Sequence, residues 1–381
     1  MVRKSICVSL FILMAALGTT ASAQSSQTPN APPLSREDSS LFREVFSMVL
    51  QSYVDPKTPS QVIQGALSGA VGAAGPECAY IPPEGVPAYR TLLANPDASL
   101  PLYVTKGSDF ARVISVLPGA DAQIRPSDAL RYIGSRSTYD MTYPEILEAI
   151  HGKAGQAVEC IFLKQKTWQS YTATLKFLPL PAPKLSAAGG AQIVRLAALE
   201  STPAQVFTHR LEAGKGTVLI DLRGSASGSV ADALRWAGYF LGEAKGPVSE
   251  GQSGKLSHAL KGEGVLKGRS IRVLINQTTA RGGEVLATAL IESGALCVGE
   301  PSMGFAPFYE DFPVENGGLV HLVTAYFVDP GGQMMNGHSI QPAAELKQAK
   351  GESDEAYYQR ALKAKPKAPS KKASDAGRHA A

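Results

Sequence analysis

The sequence predicts a mixed α/β protein with N-terminal helices, a β-rich middle segment and an α/β core. Three observations predict it. Apolar residues recur at helical spacing near the start of the chain, around Leu41–Leu50; from Leu100 they fall into short runs between turn residues; and from about Pro179 to Leu346 such runs alternate with amphipathic stretches. With 381 residues, 44% of them hydrophobic and 18% charged, the chain is long enough for two or three packed cores.

Met1 to Ala23 reads as a secretory signal peptide, with Arg3 and Lys4, an apolar run from Ser5 to Leu17, and Ala21-Ser22-Ala23 before a cut after Ala23. The apolar run falls short of the ~20 residues of a spanning helix. The mature protein is therefore expected in the periplasm or outside the cell. Residues 24–35 are polar and Pro-containing and read as a linker. An N-terminal helical region, residues 36–96, follows, with one helix over Leu41–Leu50 and another from Pro59 to Gly72 after the Asp55-Pro56 break.

The middle segment, residues 97–178, is predicted to hold strands over Leu102–Thr105, Ala111–Val116, Ala129–Ile133 and Ala157–Lys164, interrupted by a helix over Tyr143–Ile150. In the core, residues 179–348, Val218–Arg223 reads as a buried strand, Val230–Leu241 as an amphipathic helix and Ile271–Asn276 as a second strand. That strand turns through Gln277–Gly283 into a helix over Glu284–Ser293. Strand, sharp turn and helix make a frame for a nucleophile elbow. Residues 349–381, which carry Lys363, Lys365, Lys367, Lys371, Lys372 and Arg378, are expected as a basic disordered tail.

Composition excludes several functions. The net charge of +4 comes largely from that tail, so the folded body is near neutral and nothing supports sequence-specific nucleic-acid binding; contact of the tail with anionic envelope polymers or lipid is the minority expectation. Removal of Cys7 leaves Cys78, Cys160 and Cys297, an odd number at wide spacing, and Cys160 and Cys297 lie in strand-like runs as buried small hydrophobes. Zinc-finger spacing and His-Glu-x-x-His are absent, so neither metal nor cofactor is expected. Gly214-Lys215-Gly216-Thr217 precedes a strand, which is the wrong order for a phosphate loop.

Ser115-Val116-Leu117-Pro118-Gly119-Ala120-Asp121-Ala122 and Ile124–Gly134 resemble the signatures of a PDZ domain. The resemblance implies peptide binding by strand addition, with a carboxylate-holding loop near Ser99, Leu100 and Leu102; the usual glycines are missing there and Pro101 has no amide to offer. A packing or regulatory module is the equal alternative.

A broader resemblance runs from Phe42 through Leu346. Tyr53-Val54-Asp55-Pro56 with Gly65-Ala66-Leu67, the PDZ-like segment, Asp221-Leu222-Arg223, Asn276–Glu284 with Gly299-Glu300-Pro301, and Thr324-Ala325-Tyr326-Phe327 before Pro330-Gly331-Gly332 resemble, in order, the carboxyl-terminal processing peptidases, or tail-specific proteases, a family of serine peptidases. The family uses a serine nucleophile, a lysine base and a glutamine four residues after the lysine. Alignment on Asn276 and Glu284 puts Arg281 at the nucleophile position; alignment on Gly299-Glu300-Pro301 and Gly304 puts Phe305 at the lysine position and Tyr309 at the glutamine position.

A guanidinium is neither nucleophile nor base, and phenylalanine titrates nothing. Loss of the nucleophile alone costs a serine hydrolase about a millionfold. No lysine occurs between Lys267 and Lys347; Lys255, Lys261 and Lys267 are distant candidates, and His258, His321 and His338 are scattered. Thr279 and Ser302 are the fallback nucleophiles, Thr279 displaced by two residues and roughly 6–7 Å from the nucleophile position. Ser225-Ala226-Ser227-Gly228 reads as a rebuilt turn, and Gly228 and Gly282 are candidate oxyanion amides with Arg281 beside them. Arg281 is otherwise expected to pair with a local carboxylate, Glu284 or Glu300.

The resemblance and its substitutions imply an inactive peptidase relative that binds a peptide, an exported protein or an active processing protease in the envelope. The alternative is an active endopeptidase, cutting near C-termini, with a relocated nucleophile and base.

Overall fold

The computed structural model describes residues 34–94, 98–200, 211, 216–227 and 229–366. Met1–Ala23, Gly228, Gly214-Lys215 and the tail beyond residue 366, all singled out in the sequence, lie outside them. The chain divides into two compact units, Met1–Val62 and Ile63–Ala381.

The first unit holds α1 (Arg36–Ser52), capped by Ser35, whose hydroxyl accepts from the Asp38 amide. From α2 (Pro59–Gly72), which runs across the division, the chain enters β1 (Ala79–Ile81) and α3 (Val86–Ala94). Then come β2 (Ala98–Ser99), β3 (Leu102–Lys106), β4 (Ala111–Val116), β5 (Ala129–Ile133), β6 (Arg136–Ser137), α4 (Tyr143–Ile150), β7 (His151–Gly152), β8 (Ala157–Leu163) and β9 (Ser170–Lys176). These match the strands and helix expected in the middle segment to within a residue. Thr142 and Glu145 close a capping box on α4, with Pro144 inside its first turn. Six of these strands form one antiparallel sheet in the order β3-β4-β5-β8-β9 with β6 on β5, so β3 is an edge, while β2 and β7 pair apart from it. Leu102, Val104, Leu130, Phe162 and Leu175 pack with Ile146 and Ile150 of α4 in its core.

The core follows as β10 (Lys184–Ala188), β11 (Ala191–Arg195), β12 (Val218–Asp221), α5 (Val230–Leu241), β13 (Val248–Gly251), β14 (Gly254–Ser257), β15 (Ile271–Ile275), α6 (Gly282–Glu292), β16 (Leu296–Gly299), β17 (Pro307–Pro313), β18 (Leu319–Phe327), β19 (Ala344–Glu345) and α7 (Asp354–Lys363). The central sheet runs β10-β11-β12-β15-β16-β19, parallel except for the β10–β11 hairpin. Its strands are apolar on both faces because both are covered. Val194, Ile220, Val273 and Ile275 face Trp236 and Phe240 of α5 and Leu286 and Leu290 of α6. The alternate residues Ile193, Leu219 and Leu274 face Tyr357, Tyr358 and Ala361 of α7. A further antiparallel sheet, β1-β18-β13-β14 with β17 on β18, brings the segment before β1 beside the core.

α7 corrects the expectation of a disordered tail from residue 349. Ser353 caps it, its Tyr357 hydroxyl donates to the Leu346 carbonyl at 2.6 Å, and its Tyr358 hydroxyl donates at 2.8 Å to Asp221, a fully buried carboxylate that also accepts from Arg195 Nη1 at 2.9 Å and Arg223 Nη2 at 2.8 Å. Arg223 reaches on to Asp354 at 3.0 Å and lies over the Tyr357 ring. Cys78, Cys160 and Cys297 are buried free thiols, and burial pushes Cys160 and Cys297 up to about 12. Among the described residues no helix is long and apolar enough to cross a membrane.

Candidate functional site

The turn between β15 and α6 is built by its own side chains. Thr279 Oγ1 accepts from the Asn276 amide at 3.1 Å and donates to the Leu222 carbonyl at 2.9 Å, while Asn276 Oδ1 accepts from the Thr278 amide and hydroxyl. Arg281 then takes φ 51° and ψ −125°, a conformation rare outside glycine, and α6 starts at the next residue. A positive φ at a non-glycine residue between strand and helix costs on the order of 1–3 kcal/mol and is the mark of an elbow. Gly283 lets the turn press against the segment after β12: a Cβ there would stand 2.3 Å from the Ser225 carbonyl oxygen.

Arg281 is buried and surrounded. Nη2 donates to Glu77 Oε1 at 2.5 Å and Nη1 to the Tyr309 hydroxyl at 2.5 Å; the Tyr309 hydroxyl in turn donates to Glu77 Oε2. Glu77 Oε1 also accepts from Thr105 Oγ1 at 2.6 Å and the Lys106 amide at 3.2 Å, both on β3. The guanidinium lies over the rings of Tyr143 at 5.1 Å, Phe305 at 5.3 Å and Tyr309 at 5.9 Å, and its own amide donates to the Phe305 carbonyl at 2.8 Å. Burial by itself works against this cation, but the charge and hydrogen bond of Glu77 together with Tyr143 and Tyr309 outweigh it and raise its pKa. Burial likewise raises the Tyr309 hydroxyl well above its ordinary range.

Arg281, Phe305 and Tyr309, chosen from sequence, thus meet at one point. The other expected residues do not act as expected. Arg281 pairs with neither Glu284 nor Glu300: Glu284 accepts from the Ser302 hydroxyl, the Gly304 amide at 2.6 Å and the Phe305 amide at 2.8 Å, and Glu300 faces Lys347 at 3.7 Å. Burial pushes Glu284 up to about 7, against the three donors that pull it down. The Gly282 amide, expected to face an oxyanion, is spent on the Ser227 carbonyl at 3.1 Å. Ser302 is buried and donates to Glu284 while accepting from the Ile340 amide at 2.9 Å; Thr279 is buried in the turn described above. Thr279 meets no titratable group, and Ser302, although bonded to the Glu284 carboxylate, is not among the residues lining the cavity described below.

At the expected carboxylate loop the amides are also taken. Ser99 donates to Leu178 O at 2.9 Å, Leu100 to Ile150 O at 2.7 Å and Leu102 to Leu100 O at 2.7 Å, and all three residues are buried. Short bridges of β2 to β7 and to Leu178 close this segment.

Sequence reasoning missed three features. Glu77 lies 204 residues from Arg281, and its only signal was that a guanidinium in an apolar frame must have a carboxylate. His321, read as one of three scattered histidines, has Nδ1 at 2.7 Å from Asp311 Oδ1 and 3.1 Å from the Tyr89 hydroxyl, and stacks on the Tyr309 ring at 4.9 Å. Its neighbour Asp311 is the cross-strand partner on β17. His258 has Ser249 Oγ at 2.8 Å from Nε2, but Ser249 is buried in β13 and does not line the cavity described next. The ammonium of Lys106 is held by the carbonyls of Asp109 at 2.7 Å and Thr138 at 2.6 Å, away from the elbow.

A cavity of about 730 Å³ connects the β3–α4 side, with Leu102, Val104, Leu147 and Ile150, to Arg281, Tyr309 and His321. It is large enough for a peptide segment or a molecule of drug size.

Residues 193–346 match the family described as Peptidase family S41. The chain is similar to the carboxy-terminal-processing protease of Bartonella bacilliformis, 23% identical over 338 residues that cover 83% of this chain and 76% of that protein. It is also similar to the carboxy-terminal processing protease CtpA of Bacillus subtilis, 20% identical over 317 residues, 79% of this chain and 67% of that one. In structure it resembles the photosystem II D1 C-terminal processing protease, with a TM-score of 0.65 at 19% identity over 85% of this chain and 99% of the other. The fold is thus that of a C-terminal processing protease.

Proposed function

We propose that this chain, whose core is a peptidase family S41 domain, is an exported protein that no longer cuts peptides and instead binds a peptide or protein partner in the cell envelope. One observation carries the reading: Arg281, Phe305 and Tyr309 fill the elbow together, with Glu77 closing a buried ion pair. A serine peptidase needs a nucleophile there, a base within hydrogen-bond reach and amides free for the oxyanion. The elbow instead holds a cation that stays protonated, a ring, and a phenol whose proton is bound to a carboxylate. The three substitutions make physical sense only as a set. Arg281 needs Glu77, and the pair is sheltered by aromatic faces at positions where the family carries lysine and glutamine.

The cavity beside the elbow supports retained binding, and the PDZ-like segment supplies its apolar side. Export rests on the sequence of Met1–Ala23. The partner class is a peptide, an exported protein or an active processing protease, with the basic tail available to anionic envelope.

A serine-reactive fluorophosphonate should leave the chain unlabelled under conditions that label an active serine hydrolase. Stoichiometric labelling, abolished by one substitution among Ser249→Ala, Thr279→Val and Ser302→Ala, would overturn the reading.

A further inference from the structure

Among the described residues lining the cavity, no arginine is without a countercharge. Of the arginines lining it, Arg281 is neutralised by Glu77 and Arg235 by Asp232; Asp311 and Glu200 add carboxyl groups to the same wall, and burial raises the pKa of Glu200. An incoming carboxylate would lose its hydration and meet a guanidinium already compensated, so its desolvation would go unrepaid. The segment from Ser99 to Leu102 offers no alternative, since its amides are bonded within the fold.

Among the buried polar atoms of the cavity's lining residues that lack a hydrogen-bond partner, the Tyr103 hydroxyl, Glu200 Oε2, Arg281 Nε and His321 Nε2, the last two stand beside one ring. Arg281 Nε is a donor, and His321 Nε2 is an acceptor in the neutral ring whose Nδ1–H points to Asp311; both residues line the cavity and both flank Tyr309. A buried donor and a buried acceptor left open call for one ligand that supplies the complement of each. A peptide unit does so with C=O and N–H, at no cost in charge. Beside them, Leu102, Val104, Leu147 and Ile150 offer apolar surface, and β3 is the edge of its sheet.

We propose that this cavity binds a neutral, extended polypeptide segment, Arg281 Nε donating to a backbone carbonyl and His321 Nε2 accepting a backbone N–H, with no requirement for a free C-terminal carboxylate. The ligand class is the interior of a chain as much as its end. This rests on the binding function proposed above, and Glu77 is what sets it: the carboxylate that compensates Arg281 also removes the cavity's attraction for anions.

The test is fluorescence anisotropy of the full-length chain with a fluorescein-labelled nonapeptide pool, apolar at alternate positions, in free-acid and C-terminally amidated forms. The expected result is binding of both within threefold, weakened about tenfold for both forms by His321→Leu. In Glu77→Gln, where Arg281 is uncompensated, the free acid should bind at least tenfold more tightly than the amide. A tenfold preference of the natural chain for the free acid overturns the inference, as does an unchanged ratio in folded Glu77→Gln. Absence of binding by either form overturns the binding function itself. Should Glu77→Gln fail to fold, the free-acid to amide ratio of the natural chain still decides.

Discussion

Removing Glu77 should cost more than removing Arg281, although the two form one ion pair. Glu77→Ala leaves a buried guanidinium without its countercharge, and it strips an acceptor from Thr105 Oγ1, the Lys106 amide and the Tyr309 hydroxyl. At an effective dielectric of about 20 the Coulomb energy of two charges about 4 Å apart is ~4 kcal/mol. Breaking a buried pair from one side costs a similar ~3–5 kcal/mol. Arg281→Met, by contrast, leaves Glu77 with those three donors, so ~2 kcal/mol is expected. The double variant Glu77→Ala/Arg281→Met should cost less than the sum of its parts, with a coupling of at least ~2 kcal/mol. Denaturant unfolding followed by the fluorescence of Trp236, fully buried against the central sheet, reads all three. A Glu77→Ala cost below ~1 kcal/mol, or a greater cost for Arg281→Met, would refute the reasoning.

Asp221→Ala should cost ~3 kcal/mol by freeing Arg195 and Arg223, and should raise hydrogen exchange across α7, which Asp221 anchors through Tyr358; unchanged exchange there would contradict the anchor. Gly283→Ala should destabilise by ~2 kcal/mol, since helix propensity gains at most ~1 kcal/mol while the new methyl meets the Ser225 carbonyl oxygen at 2.3 Å; a more stable protein by thermal melting would show that the turn can give. Glu284, ordinarily near 4.5, is pushed up to about 7 by burial, so the fold favours its protonated form: its contribution is whole below about pH 4.5 and is lost as pH rises through 7. The span corresponds to ~3 kcal/mol, and Glu284→Gln should flatten that part of the stability profile between pH 4.5 and 7.5; equal slopes in both proteins would contradict it.

Much of the fold was legible because period-2 and period-3.6 patterns are local. Val230–Leu241, Tyr143–Ile150, Ala111–Val116 and Ala129–Ile133 fall where their apolar spacing puts them. α6 begins two residues before the expected Glu284, because Gly282 and Gly283 read as turn while the close approach to Ser225 and Ser227 needs them inside the helix. α7 was hidden by charge: the lysines around and beyond it dominate the composition, and the short stripe of Tyr357, Tyr358 and Ala361 is too brief to stand out. At the site, Arg281, Phe305 and Tyr309 were identifiable through short motifs around them. Their partner Glu77 was not, since an ion pair across 204 residues leaves no pattern in either neighbourhood. The same holds for Asp311 and His321, whose pairing follows from the register of β17 on β18.

The central claim is that the elbow holds an ion pair where a peptidase would hold its chemistry. The most direct measurement is turnover of a fluorescein-labelled unstructured protein by the purified natural chain beside an Arg281→Ser/Phe305→Lys variant, with buffer as the baseline. The natural chain is expected to cleave no faster than buffer, and any gain in the variant would show that the surrounding cleft still positions a substrate. Cleavage by the natural chain that persists after contaminating proteases are removed, and that disappears on a single substitution at Ser249, Thr279 or Ser302, would contradict the claim.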